Sequence, residues 1–326
     1  FKSFVFVDFS HLKKASTFAM IDVRRQTIKV ALIPPIIETH ERKMHTMNDT
    51  IRDLKLMANT IRRDIVDIAY LAQGPSHPAP ALSCTDIVTA LYFYIMKVDP
   101  ANPHWEDRDR FVLSKGHAAP VVYSALAEKG FFPKDWLLTV RRVGSRLQGH
   151  PDMKKTPGID MTSGSLGNGL SAALGMAIYL KHQKKESQVY CILGDGEIQE
   201  GLVWEAILAA PAMGIDNLTA IVDCNHLQSC GAVTEIQNIS VSSMAKAWEA
   251  LGWNVIRING HNMEEIVSAL ERARDFRGMP TCIMADTVKG KGVSFMEFDN
   301  AWHQKVPTEA QYNQAIVELK EARKCL

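Results

Sequence analysis

From Asn48 the apolar residues Ile51, Leu54, Ala58, Ile61, Ile65, Ile68 and Leu71 recur at three- and four-residue steps, the spacing that lines one face of an amphipathic helix. The pattern ends near Gly74-Pro75. Ser83, with Asp86 three residues on, predicts a capping box that opens a second helix through Ile87, Ala90, Leu91 and Ile95, with a proline-rich loop between the two. Farther along, the helical period gives way to short apolar runs at 189–193, 218–223, 254–258 and 281–285, which read as strands. Helical stretches at 201–213, 243–251 and 263–276 separate them. Strand and helix alternating at this spacing predict an α/β fold, a parallel sheet with helices on both faces. Ligands of such sheets bind beyond the carboxyl ends of the strands.

Residues 1–46 follow neither period. They carry Phe1, Phe4, Phe6 and Phe9 at irregular spacing and are expected to be an N-terminal extension of unassigned role, with Met44 or Met47 opening the domain proper, 47–326. The chain shows no internal repeat and no low-complexity segment.

Composition narrows the function classes. Of 326 residues, 46% are apolar and 22% charged, a globular balance that allows one large α/β domain or two ordinary ones. Lys plus Arg number 37 against 36 for Asp plus Glu, so no net field favours nucleic acid or an anionic membrane, and any bound anion must be held by local groups. No apolar run is long enough to span a bilayer, and no signal peptide pattern appears. Six cysteines without a Cys-x-x-Cys spacing predict reduced thiols and a cytoplasmic location.

The stretch "CILGDGEIQE" places Asp195 between Gly194 and Gly196 at the end of the 189–193 run. On its own this tripeptide favours a plain turn. The next strand, however, ends "AIVDCNHLQSCG", so Asn225 follows Asp195 by thirty residues, the length of one helix and one strand. The two side chains are thereby expected at neighbouring strand ends. One carboxylate and one amide oxygen form a sparse, all-oxygen set suited to Mg²⁺ shared with phosphate oxygens, and unsuited to zinc. Gly194 and Gly196 would then leave backbone N–H groups open to a phosphate.

"GDGEIQEG" followed by "VDCNHLQ" resembles the signature of thiamine-diphosphate enzymes. The blocks "SHPAPALSCTDIVTALYF", "DRDRFVLSKGHAAPVVYSALAEKGFF", "RLQGHPDMKKTPGIDMTSGSLGNGLSAALGMA" and "TVKGKGVSFMEFDNAWH" resemble those of transketolases in order and spacing, over about residues 48–306. The form is the split one, in which the diphosphate-binding (PP-type) amino-terminal half is its own polypeptide. The resemblance implies thiamine diphosphate and Mg²⁺ as cofactors, with the metal on Asp195, Asn225 and the backbone oxygen of Leu227. It puts Gly194 and Gly196 against the diphosphate, Gly164 and Leu166 along the cofactor cleft, and Glu200 at a link between paired sites. Of eleven histidines, it singles out His77, His150 and His303 for the substrate and His117 for a place near the diphosphate. Imidazoles suit ketol transfer, because a sugar hydroxyl must lose a proton as the carbon chain breaks and an aldehyde oxygen must gain one. His40, His104 and His261 are left as surface or structural residues. "KGKG" at 289–292 reads equally as a phosphate-binding loop or a solvated turn.

The glutamate that activates the cofactor, and most groups that grip a sugar phosphate, belong in transketolases to the pyrimidine-binding half. A separate carboxy-terminal subunit is therefore expected, in an α2β2 heterotetramer, and this chain alone is expected to be inactive. Three departures bear on substrate. Ala79 replaces a glycine of the usual Gly-His-Pro-Gly turn, Ser229 and Cys230 stand where an apolar residue and an Asp are usual, and Asn168 replaces Gln. The leading expectation is transfer of a two-carbon ketol unit between sugar phosphates in the pentose-phosphate manner. The alternatives are a specialised ketose (sulfonated, branched or amino), a decarboxylating synthase on the same cofactor, or a non-catalytic cofactor-binding scaffold. A nucleotide-binding Rossmann protein is disfavoured because no Gly-x-Gly-x-x-Gly follows an early strand.

Overall fold

The computed structural model describes residues 4–8, 17–22, 27–32, 36–72, 74 and 76–326, with side chains from residue 47 onward. The chain divides into two compact units, Phe1–Asp53 and Leu54–Leu326. In the first, β1 (Phe4–Asp8), β2 (Thr17–Asp22) and β3 (Thr27–Leu32) pair antiparallel in that order. The irregular aromatic spacing did not predict this meander. Phe1, Phe9 and the side chains of His40 and Met44 lie outside the described residues. Helix α1, Ile36–Leu71, starts twelve residues ahead of the predicted Asn48 and stops short of Gly74 as expected.

The proline-rich segment after it is not a simple loop. Pro78–Ser83 form helix α2, with Pro78 at its first position, where the missing N–H costs nothing. Helix α3, Thr85–Ala90, is capped by Cys84 without a side-chain bond and runs into a π turn at Leu91–Ile95. The predicted capping box is thus absent. Ser83 Oγ bonds the Pro80 carbonyl at 3.0 Å and Asp223 at 2.5 Å, and Asp86 pairs with Arg62 and His261. The two groups that would have closed the box are drawn to partners distant in sequence.

The remaining elements are β4 (Arg110–Leu113), α4 (Ala119–Lys129), α5 (Asn168–His182), β5 (Val189–Gly194), α6 (Gly201–Ala212) and β6 (Leu218–Cys224). A two-residue ribbon follows, β7 (Leu227–Gln228) and β8 (Gly231–Ala232), then α7 (Val233–Gln237), α8 (Val241–Ala250), β9 (Asn254–Asn259), α9 (Met263–Asp275), β10 (Thr281–Asp286) and α10 (Glu309–Lys324). The four strands read from the apolar runs are present, joined by β4, in a parallel sheet of order β4-β5-β6-β10-β9. One set of alternate residues (Val189, Cys191, Leu193; Leu218, Ala220, Val222; Cys282, Met284) packs on α5, α6 and α8. The intervening Tyr190, Ile192, Ile221 and Ile283 are equally buried, so both faces are covered and the strands read as continuous apolar runs. All six cysteines are free thiols, four of them buried, and among the described residues no helix is long and apolar enough to cross a membrane.

Candidate functional site

β5 and β6 are neighbours in register, Gly194 opposite Asp223, so the turns that leave them lie side by side at the carboxyl edge of the sheet. Asp195 is buried there. Its Oδ1 accepts from the N–H of Gly196 at 2.8 Å and its Oδ2 from the N–H of His226 at 2.6 Å, which ties the carboxylate to both strand ends. Burial, reinforced by the Asp223 charge, pushes Asp195 up to about 6. The Asn225 amide is oriented by its neighbours. Nδ2 donates to Asp223 at 3.0 Å, and Oδ1 accepts from the N–H of Leu227 at 3.1 Å.

A cleft of ≈ 270 Å³ opens at this edge, walled by Asp195, Asn225, Leu227, Gly194, Gly196 and Glu197 on one side and by Leu166, Glu200, Lys289, His117 and His303 elsewhere. Gly194 faces it with space to spare, whereas a Cβ on Gly196 would come within 2.8 Å of the Gln228 side chain. Glu197, in a 3-10 turn that follows Gly196, binds the N–H groups of Gly167 and Gly194 at 2.9 and 3.0 Å and so clamps the two glycine turns together. Gly164 stands apart from the cleft wall where it was expected. Its φ of 134° and the 2.9 Å approach of a built Cβ to the His150 ring make it the floor under that imidazole.

Four imidazoles converge beside the cleft. The ring centroids of His77 and His117 are 5.4 Å apart, those of His77 and His303 5.4 Å, those of His117 and His303 5.1 Å, and those of His77 and His150 6.5 Å. His77 precedes α2, His150 lies in a bend, and His117 and His303 sit in 3-10 turns rather than open loops. Burial, and then the charges of His150, Arg141 and Lys289, hold His77 down to about 4, and burial with Lys289 does the same to His303. His117 is lowered well below the usual histidine range by burial and the Lys115 charge, and His150 by burial and Arg141. All four are neutral near pH 7 and able to accept a proton. By contrast His104 is exposed, and His261 is tied to Asp86 and to the N–H of Val288.

Two buried groups went unread in the sequence, and a third was left ambiguous. Lys115 and Asp223, with side chains 2% and 0% exposed, form an ion pair beneath the cleft. Burial opposes both charges, yet the pairing raises Lys115 and lowers Asp223, so both are ionised. The signal was present, since Asp223 ends an otherwise apolar strand and Lys115 sits in "SKGH". Lys289, the first residue of "KGKG", is buried rather than in a solvated turn. It is 1% exposed in the cleft wall, donates to the Leu227 carbonyl at 3.2 Å and to Asn300 at 2.7 Å, and is brought down to about 8 by burial and by Lys115.

These residues fit the expected cofactor and metal. The donors at the strand ends, the Asp195 carboxylate and the Asn225 amide, are oxygens, the ligand chemistry that suits an Mg²⁺ sharing its shell with phosphate. Nδ1 of His303 is buried with no hydrogen-bond partner, a polar atom aimed at nothing the described residues supply.

A parallel sheet that presents a carboxylate, an amide and bare glycine backbone at adjoining strand ends, next to neutral imidazoles, defines the class of α/β domains that bind a diphosphate cofactor. Residues 54–317 match the family described as transketolase, thiamine diphosphate binding domain. The chain belongs to the transketolase family, as its cofactor-binding half. It is 44% identical over 276 residues to the 6-deoxy-6-sulfo-D-fructose transketolase subunit SqwG of Clostridium sp. (strain MSTE9), covering 84% of this chain and 99% of that protein. It is 41% identical to an apulose-4-phosphate transketolase subunit of Phocaeicola vulgatus, covering 83% and 95%. The transketolase of Campylobacter jejuni superposes with a TM-score of 0.76 at 31% identity, over 83% of this chain and 42% of that one. The chain thus spans nearly all of the subunit-type relatives and less than half of the long ones.

Proposed function

We propose that this chain is the diphosphate-binding subunit of a transketolase that moves a two-carbon ketol unit from a ketose to an aldose, both bearing an anionic tail. The single observation that carries this reading is the convergence of His77, His117, His150 and His303 beside the Asp195–Asn225 strand ends. A decarboxylating enzyme has no need of so many proton acceptors at sugar hydroxyls.

Asp195, the Asn225 amide oxygen and the Leu227 carbonyl hold Mg²⁺, and the Gly194 and Gly196 backbone with Lys289 receives the diphosphate. Thiamine diphosphate, when bound, supplies the carbon nucleophile and the electron sink for carbon–carbon cleavage. The histidines move the protons. His77 and His303, neutral before the reaction, take the proton from the donor's C3 hydroxyl and return it to the acceptor's aldehyde oxygen. His150 holds the C1 hydroxyl, and His117 stays by the diphosphate.

The activating carboxylate comes from a separate carboxy-terminal subunit, in an α2β2 assembly. Support for a partner comes from α5 and α6, whose outward faces carry Tyr179, Leu202 and Leu208, with Met213 just past the end of α6; Tyr179 is 59% and Leu208 55% exposed. Glu200 and Leu166, on the rim of the cleft, adjoin these two helices in sequence. The four buried reduced thiols accord with a cytoplasmic protein.

Ser229 and Cys230 in the cleft wall favour a specialised ketose over the pentose-phosphate sugars. Relatives named for a sulfonated and for a branched-sugar substrate point the same way. The test is reconstitution. The purified chain with thiamine diphosphate and Mg²⁺ should be inactive alone and should transfer the ketol unit, with no release of CO₂, once the partner is added. Turnover by the chain alone, or CO₂ release in step with product, refutes the proposal.

A further inference from the structure

Residues 139–147 carry three arginines. Two are anchored: Arg142 donates to the carbonyls of Leu71 and Ala72 at 3.4 and 3.5 Å, and the Arg146 guanidinium lies 5.3 Å from the Trp136 ring centroid. Arg141 is different. It is exposed, and among the described residues its guanidinium makes no hydrogen bond or ion pair. Its backbone is left-handed, with φ 64°, held there by a bond from its N–H to the Leu147 carbonyl at 2.9 Å. A residue with a Cβ resists that conformation, and such strain gathers at functional sites.

The guanidinium crosses Gly149, where a Cβ would stand 2.8 Å from Nη1 and 3.2 Å from Cζ, so the absence of a side chain is what lets it lie there. Gly149 is bonded to His150, and the Arg141 charge reaches both His77 and His150. A cation that is permanent at every relevant pH therefore stands uncompensated at the lip of the imidazole cluster, beside neutral rings.

We propose that Arg141 is this subunit's own receptor for the anionic tail of the sugar, donating its planar fork to the terminal oxyanion of the molecule whose reacting oxygens meet His77 and His303. Phosphate and sulfonate share the required chemistry, a tetrahedral group with several acceptor oxygens. The inference rests on the ketol-transfer reading and adds to it the side of the site that selects charged sugars.

The experiment compares the reconstituted wild-type complex with Arg141→Met and Arg141→Lys, using uncharged L-erythrulose as donor. The acceptors are glyceraldehyde 3-phosphate, a sulfonated aldehyde and uncharged D-glyceraldehyde. Arg141→Met should raise KM for the charged acceptors roughly 10- to 100-fold, the loss expected for a charge-assisted hydrogen bond. KM for D-glyceraldehyde and all kcat values should stay within about twofold, because only binding of the tail is lost. Arg141→Lys should recover part of the difference, and an effect on only one charged acceptor identifies the tail. Equal losses on all three acceptors, or none on any, overturn the proposal. Arg141→Gly, which suits the positive φ, repeats the test should Arg141→Met fail to fold. Failure of the wild-type complex to use D-glyceraldehyde counts against the ketol-transfer reading instead.

Discussion

Asp223 is 0% exposed and accepts from Ser83, Lys115, Asn225 and Thr287, four residues drawn from α2, the turn after β4, the end of β6 and the turn after β10. A buried carboxylate with this many donors holds the Asn225 amide with its oxygen turned away from Asp223, which frees that oxygen for a cation. Removing one partner of a buried ion pair leaves the other charged and alone. Asp223→Asn should therefore lower the unfolding free energy of the chain by about 3–5 kcal/mol in urea titrations, and a loss below about 1 kcal/mol would show that Lys115 finds another partner. The carboxylate at Asp195 was legible as a site residue because glycines flank it at a strand end. The one at Asp223 was not, since a single polar residue closing an apolar strand reads as the strand's last turn. Arg141 gave no local sign either, as neither glycine nor asparagine marks its left-handed backbone.

At the scale of elements, helices α5 and α6 carry apolar residues on the exposed side as well as on the buried one, and the proposed interface rests on that exposed side. Leu208→Glu puts a charge at the middle of that face. The isolated chain should keep its stability within about 0.5 kcal/mol, since the position is exposed, while size-exclusion chromatography with the partner should show assembly abolished. Normal assembly would move the interface elsewhere. The long strands were legible because burial on both faces removes every polar residue from them. β4, with four residues, is too short for its apolar run to stand out from the surrounding charges. α2 was read as loop because prolines crowd it, although a proline at the first helical position is tolerated and the rest of the helix is held by burial. Ser83 and Asp86 have the spacing of a cap and serve the core instead.

For the whole molecule, the four pocket imidazoles couple the site to pH. His77 and His303 take up protons only near pH 4 in the folded chain, against about 6.5 for a histidine in the unfolded one. Between those values the unfolded state binds more protons at these two sites, so their contribution to stability rises with pH from about 4 to 6.5 and is fully present above that, while Asp195, raised to about 6, contributes in the opposite sense. The difference in unfolding free energy between the wild-type chain and His77→Asn/His303→Asn, from urea titrations at pH 4 to 8, should show this rise, and histidine NMR signals of the chain should include resonances that still report neutral imidazole at pH 5.5. A difference that does not change with pH would refute the assignment. The sequence by itself determined the alternation of strand and helix, the turns at Asp195 and Asn225 and the kinship of the chain, because apolar period and glycine placement act over a few residues. Only the tertiary structure decided that Lys115 neutralises Asp223, that Lys289 enters the cleft and that the Arg141 guanidinium crosses Gly149 next to His150. Those outcomes depend on which distant segments the packing of the sheet brings within a few ångströms, and no local pattern encodes that distance.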